Sequence, residues 1–192
     1  MRTAWAIAAL AASLLLGACS EEKVAEMPPP FALTEEAMGR YCGMNVLEHA
    51  GPKGQIILDK IPEAIWFSSA RDALAFTMLP EEPRNIAAIY VSDMSKAPSW
   101  DRPGAENWID AKTAFFVIES QQRGGMGNEE AVPFSKEGDA NAFVSKHGGR
   151  VVGFNDVPQQ YILGSGAPAQ GGDGDPIPPE GEPHDMGAHH HG

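Results

Sequence analysis

The sequence predicts an α+β body built from two tandem β-β-α-β units. Strand-like apolar runs alternate with helical stretches, and an eleven-residue segment that begins at Trp66 resembles one that begins at Pro133, at a constant offset of about 67 residues. Pro- and Gly-rich composition at both ends confines the predicted body to residues 31–163. We expect a disordered tether before this body and a disordered tail after it.

The first predicted element is an export signal over residues 1–18. Arg2 precedes an apolar run of about 13 residues, which is too short to span a bilayer, and small residues lead into Cys19. This pattern resembles a bacterial lipobox, so we expect Cys19 to carry lipid on the periplasmic side of a membrane. Ser20 after the cysteine favours the outer membrane. The alternative is an ordinary signal peptide that is cleaved near Ala18 and leaves Cys19 unmodified.

Residues 19–30 form the predicted lipidated tether. It contains three consecutive prolines, Pro28–Pro30, and a proline run favours an extended conformation. Such a tether would hold the body some distance from the bilayer.

The first β-β-α-β unit is predicted over residues of about 40–95. Its expected strands and helix are a strand at Lys53–Lys60, a hairpin partner at Glu63–Phe67, a helix at Ser68–Leu79 and a strand at Asn85–Asp93. Ser68 or Ser69 is suited to cap the helix, Asp72 favours its first turn, and Pro80 stops it.

The second unit is predicted over residues of about 108–160. It begins with a strand at Thr113–Ser120 and ends with one at Arg150–Phe154. Between them lies the segment that aligns with the first helix, and six residues match: Phe, Ser, Asp, Ala, Ala and Phe. The same order of strands around both helices favours a repeat over chance similarity between two amphipathic helices.

Charge and motifs exclude several classes of protein. The net charge of −12 and the lack of a basic patch argue against nucleic-acid binding and against electrostatic attachment to anionic lipid. The sequence has no HExxH, GxSxG, P-loop or Cys-x-x-Cys motif. Hydrolysis, phosphoryl transfer and thiol-disulfide exchange therefore lack their usual residues.

The candidate metal ligands centre on Cys42. With Cys19 lipidated, Cys42 is the one remaining thiol, and Met44 and His49 follow it within eight residues. Thiolate and thioether sulfurs suit the soft ion Cu(I). A buried cysteine or redox chemistry are the alternatives for Cys42.

Met126 lies in a Gly-rich connection between the strands of the second unit. Glycines leave a thioether reachable, so the sequence predicts a three-sulfur site of Cys42, Met44 and Met126 where the two units meet. A mobile loop tip is the alternative for Met126.

Several of these segments, taken in order, resemble the NosL family, the copper lipoproteins that accompany nitrous oxide reductase. They are the lipobox, Tyr-Cys-Gly-Met at 41–44, FSSARDALAF at 67–76, GGMG at 124–127, PFS at 133–135 and HGGRVVGF at 147–154. The resemblance covers residues 16–160. It implies two β-β-α-β halves similar to part of organomercurial lyase, and metal ligands at Cys42 and Met44, with Met126 at the GGMG position. His49 is the nearest match for a histidine ligand considered in this family; the alternative is an ordinary exposed histidine.

The resemblance also implies a function. A NosL-like protein would bind one Cu(I) and pass it, with a membrane ABC-type complex, towards the copper-sulfide centre of nitrous oxide reductase. A copper storage or sensing lipoprotein, an enzyme of the organomercurial lyase type and a purely structural anchor for the reductase complex are the alternatives.

The tail, residues 164–192, is predicted to be disordered because Gly, Pro and Asp dominate it. It ends in side chains that can collect copper or zinc: His184, Met186, His189, His190 and His191. A solvated tail without metal function is the alternative.

Overall fold

The structure, a computed structural model, describes residues 27–164 as two antiparallel sheets and three helices. The predicted signal, Cys19 and the histidine-rich end of the tail lie outside these residues. Among residues 27–164, none of the helices has the length and apolar character needed to cross a membrane.

The first sheet forms from one apolar hairpin and a returning strand, as predicted for the first unit. It has the order β2-β1-β3-β4. The strands are β1 (Gly54–Leu58), β2 (Ala64–Phe67), β3 (Ile86–Ser92) and β4 (Trp108–Asp110), and neighbouring strands are antiparallel.

Helix α1 (Ala70–Met78) follows β2 directly. Its cap is Ser69, whose hydroxyl accepts a hydrogen bond from the amide of Asp72 at 3.0 Å. Gly54 allows this helix to lie close to β1, because a Cβ there would come within 2.4 Å of the Ala73 Cβ. The predicted helix was thus one or two residues too long at each end.

The second sheet has the order β6-β5-β7. Its strands are β5 (Phe115–Ile118), β6 (Val132–Phe134) and β7 (Arg150–Gly153), with helix α2 (Glu137–His147) between β6 and β7. Both units therefore place their first strand in the middle and have the predicted β-β-α-β order. The descent of both from one repeated sequence stays a prediction.

Both sheets contribute to one main core. Side chains of α1 such as Leu74 and Phe76 pack with Ile56 of β1 and with Phe116 and Ile118 of β5. Because successive strand residues face opposite sides, Val117 packs instead in a second cluster, against α2. Helix α1 therefore belongs to the first unit but is buried by both.

Three features differ from the sequence predictions. Trp108–Asp110 lies within the predicted second unit, yet it pairs with β3 and completes the first sheet. The strand predicted at Thr113–Ser120 is shorter, because a 3-10 turn occupies Ala111–Thr113. A short helix, α3 (Gln159–Leu163), was not predicted.

The predicted tether is also partly wrong. The hydroxyl of Tyr90 donates a 2.7 Å hydrogen bond to the carbonyl of Pro28, and Gln55 exchanges two hydrogen bonds with the backbone of Phe31. Without these bonds the two polar side chains, on the outer face of the first sheet, would have no hydrogen-bond partner among residues 27–164. Residues 28–31 consequently cover that face of the body.

A buried carboxylate joins the two units. Glu130, just before β6, is fully buried, and its Oε1 accepts hydrogen bonds from the amides of Arg71 and Ala131, both at 2.9 Å. The Arg71 guanidinium donates to the carbonyls of Glu129, Tyr161 and Ile162. The first turn of α1 is therefore tied to the second unit and to α3.

Burial raises the pKa of Glu130 to about 8, although the two amide hydrogen bonds act in the opposite direction. A carboxyl whose pKa is higher in the folded than in the unfolded state stabilises the fold fully below pH of about 4.5. That contribution is lost as the pH rises towards 8.

We expect Glu130→Gln to unfold less readily than the wild type at pH 7.5, by about 2 kcal/mol, and to lose this advantage near pH 5. The amide keeps an acceptor for both backbone N–H groups but carries no charge to bury. Urea unfolding at several pH values measures the difference. The matched control is Glu129→Gln, since Glu129 is exposed. If Glu130→Gln were less stable than the wild type throughout this pH range, burial of a charge at Glu130 would not be the cause of the stability difference.

Candidate metal centre

Cys42 lies in a tight loop beside the end of β2. The amide of Gly39 donates to the carbonyl of Met44 at 2.9 Å, and the amide of Gly43 donates to that of Gly39 at 2.8 Å. Gly43 has a φ of +65°, a conformation that suits glycine. The amide of Arg40 donates to the carbonyl of Trp66, which attaches the loop, residues 38–45, to the first sheet. Local backbone bonds thus close the cysteine loop.

Gly39 leaves room for the thiol. A Cβ at this position would lie 2.6 Å from the Cys42 Sγ, so a larger residue would displace the sulfur. In the space that remains, the Sγ lies 3.5 Å from the hydroxyl oxygen of Ser68, which is buried. The thiol itself is half-buried and can be reached from solvent.

Met126 reaches the same hydroxyl from the second unit. The Ser68 hydroxyl is 3.8 Å from the Met126 Sδ, to which it can donate. Two of the sulfurs predicted as ligands, from distant parts of the chain, are therefore brought together around one serine.

Glycines hold the methionine loop against the first unit. Gly127 has a φ of +79°, and its amide donates to the carbonyl of Gly124 at 2.9 Å. A Cβ on Gly125 would lie 2.6 Å from the carbonyl oxygen of Ala50 and 2.9 Å from the His49 Cβ. The Met126 side chain is 48% exposed at the tip of this loop, so its thioether remains reachable.

Met44 and His49 occupy different positions from those two sulfurs. Met44 belongs to the cysteine loop, but its side chain is 41% exposed and no described contact links its thioether to Ser68. His49 follows a 3-10 turn, and its Nε2 is buried without a hydrogen-bond partner among residues 27–164. An imidazole nitrogen without a partner has a lone pair or a proton to offer to a ligand. His49 is therefore a candidate nitrogen donor, whereas Met44 offers only a thioether.

Lys53 was not predicted as a site residue from the sequence, yet it holds the backbone on both sides of the site. Its ammonium is buried and donates to the carbonyls of His49, Ala50 and Ser68. Burial lowers its pKa to about 8, and the charge of Glu130 acts in the opposite direction. The only sequence signal was a lysine at the start of an apolar strand, which is usually a solvated strand end.

Ser68 was predicted only as a possible helix cap, a role that its neighbour Ser69 takes instead. Its contact with both sulfurs depends on tertiary packing and leaves no local pattern. A cavity of about 280 Å³ opens beside Met126, and its lining also includes Ser69, Asp72, Gly125 and Glu130.

Asp72 places a half-buried carboxyl near the site. Burial raises the pKa of this carboxyl, while hydrogen bonding to Ser69 and the charges of Arg71 and His49 lower it. Residues 27–164 contain no group of three or more His, Cys, Asp and Glu side chains arranged to hold a metal ion. The predicted ligands Met44 and Met126 are thioethers, which suit a soft ion.

Comparisons with known proteins show the family of this chain. The NosL family model matches residues 30–162. The copper-binding lipoprotein NosL of Achromobacter cycloclastes is 47% identical over 85% of this chain and 85% of that protein. The protein of the same name from Stutzerimonas stutzeri is 31% identical over 90% of this chain and 88% of that protein.

A solved structure also matches. The crystal structure of the copper chaperone NosL from Shewanella denitrificans is 35% identical and superposes with a TM-score of 0.64, covering 69% of this chain and 98% of that one. The family model spans most of the chain, and both named relatives are more than 30% identical over most of their length. On these grounds the chain belongs to the NosL family.

Proposed function

We propose that this protein is a Cu(I)-binding metallochaperone lipoprotein that delivers copper for maturation of the copper-sulfide centre of nitrous oxide reductase. The observation that carries the proposal is the contact of Cys42 and Met126 with one buried hydroxyl, at the surface where the two units meet. Relatives named as copper-binding lipoproteins and a copper chaperone support it. Nitrous oxide reductase and a membrane ABC-type complex are the proposed partners.

The proposed chemistry is transfer of a cargo ion. Cys42 supplies one thiolate and Met126 one thioether, which carries no proton and no charge. Met44, on the same loop as Cys42, and His49 are proposed to complete the coordination. Because Met44 and Met126 are more than 40% exposed, a thiolate or imidazole of the acceptor can enter and displace these ligands stepwise.

The lipid and the location belong to the same proposal. Both curated relatives are named as lipoproteins, and Cys19 is the position proposed to carry the lipid. The protein would then work on the periplasmic side of a bacterial membrane.

The site does not favour an enzyme. Carbon-metal bond cleavage of the organomercurial lyase type would need a second cysteine, and outside Cys19 the sequence has only Cys42. We therefore propose that the protein is not an enzyme.

We expect Cys42→Ser to weaken Cu(I) binding by about 100-fold and Met126→Leu by about tenfold, because each removes one soft donor. Competition with a chromophoric Cu(I) chelator, under reducing and oxygen-free conditions, measures both affinities. The matched control is Met78→Leu, since Met78 packs at the end of α1 away from the site. Wild-type affinity in Cys42→Ser would refute the site.

We expect Ser68→Cys to bind Cu(I) about tenfold more tightly than the wild type and to release it more slowly to a chelator. The substitution puts a second thiolate within reach of the Cys42 and Met126 sulfurs, which contact this hydroxyl in the wild type. Ser135→Cys is the control, because Ser135 aligns with Ser68 in the second unit but lies near Asp93 instead. Equal affinities of the two cysteine variants would contradict the proposed geometry.

The cellular role is tested by deleting the gene and isolating nitrous oxide reductase from the deletion strain. We expect the enzyme to lack copper in its copper-sulfide centre, and the wild-type gene to restore it while Cys42→Ser does not. A gene that lacks residues 183–192 should restore most of the copper. Complete failure of that truncated gene would favour the storage alternative, in which the histidine tail is the main site.

A further inference from the structure

Glu82 is a buried carboxylate whose two oxygens both accept hydrogen bonds from side chains of the cysteine loop. It lies just after α1, and its side chain is 8% exposed. Its Oε2 accepts a hydrogen bond from the Arg40 guanidinium at 3.1 Å, and its Oε1 accepts one from the Tyr41 hydroxyl at 3.2 Å. Both donors directly precede Cys42, and each is more than 40 residues from Glu82 in the chain.

Both donors carry a proton at neutral pH. An arginine side chain does not titrate in proteins. Burial raises the pKa of the Tyr41 phenol, and the charge of Glu82 raises it further. The Tyr41 ring also packs on Phe67, with centroids 5.6 Å apart. The phenol therefore stays a hydrogen-bond donor held in one place.

Together with Ser68, Glu82 attaches the cysteine loop at both ends of α1. The Cys42 thiol meets Ser68 before the first turn, and Arg40 and Tyr41 meet Glu82 after the last turn. The loop is therefore held by side-chain contacts to one residue that precedes α1 in the chain and to one that follows it. The backbone bonds of the loop fix its shape, whereas these side-chain contacts fix its position on the helix.

We propose that Glu82 is a positioning residue of the copper site, which holds the Cys42 thiol beside Ser68 and Met126 without contacting the metal. This inference rests on the proposed function. A ligand held in place before the ion arrives binds it more tightly, because less conformational freedom is lost on binding. Partners that orient a metal ligand typically contribute a factor of about 10 to 100 to the affinity.

The test is Glu82→Ala in the full chain, with Glu119→Ala as the matched control. Glu119 forms an ion pair with Arg150 in the second unit, also through two hydrogen bonds, far along the chain from the cysteine loop. We expect Glu82→Ala to weaken Cu(I) binding by about tenfold and to speed the reaction of Cys42 with a thiol reagent. Glu119→Ala should change neither.

Three further measurements keep the test decisive. Glu82→Gln retains an acceptor and should recover part of the affinity, which loss of the charge alone would not allow. The melting temperature separates a positioning role from a purely structural one. If Glu82 were purely structural, Glu82→Ala would lower the melting temperature and leave the Cu(I) affinity of the folded protein unchanged. If Glu82→Ala does not fold, Tyr41→Phe replaces it, since that substitution removes one hydroxyl and leaves the ring; we expect a twofold to fivefold weaker affinity.

Wild-type Cu(I) affinity and thiol reactivity in folded Glu82→Ala, or in Tyr41→Phe where it is used instead, would overturn the inference. If Cys42→Ser loses copper while Glu82→Ala keeps it, only the positioning role fails. If Cys42→Ser also binds copper like the wild type, the proposed function fails with it.

Discussion

The capture of the start of α1 by the buried carboxylate of Glu130 is the interaction on which the rest of the structure depends. A helix begins with amide groups that have no partner within the helix, and here one of them bonds to a side chain of the other unit. The charge of that carboxyl is costly to bury, so Glu130 is useful only while the amides of Arg71 and Ala131 stay in place. The two units are thereby fixed in one relative position.

That position determines the candidate metal centre. Ser68 precedes α1 by two residues, and Met126 precedes Glu130 by four, so the contact between the units brings serine and methionine together. Lys53 then ties the backbone of Ser68 to the turn that carries His49. The soft donors lie on short loops, and their spacing depends on buried groups that never need to touch a metal.

The fold was largely predictable because its local signals agree with its packing. Ser69 caps the start of α1 and Pro80 follows its end, and short apolar runs mark β1 and β3. Met126 was predicted as a candidate ligand because glycines surround it. Ser68, Lys53 and Glu130 were not found, since each acts through contacts with residues far away in the chain, and no spacing rule records such contacts. The prediction at Pro28 failed for the same reason. A proline run predicts an extended spacer, whereas the hydrogen bond from Tyr90 attaches Pro28 to the first sheet.

The hydrogen bond between Pro28 and Tyr90 limits how far the body can lie from a lipid anchor at Cys19. If Cys19 carries lipid, only eight residues separate it from Pro28, which is fixed on the first sheet, so the body can lie at most about 30 Å from the anchor. The body would search for its partners in a thin layer at the bilayer surface. Within such a layer a membrane-bound acceptor meets the copper site at a high effective concentration, so hand-over can be fast even when affinity between the two proteins is weak.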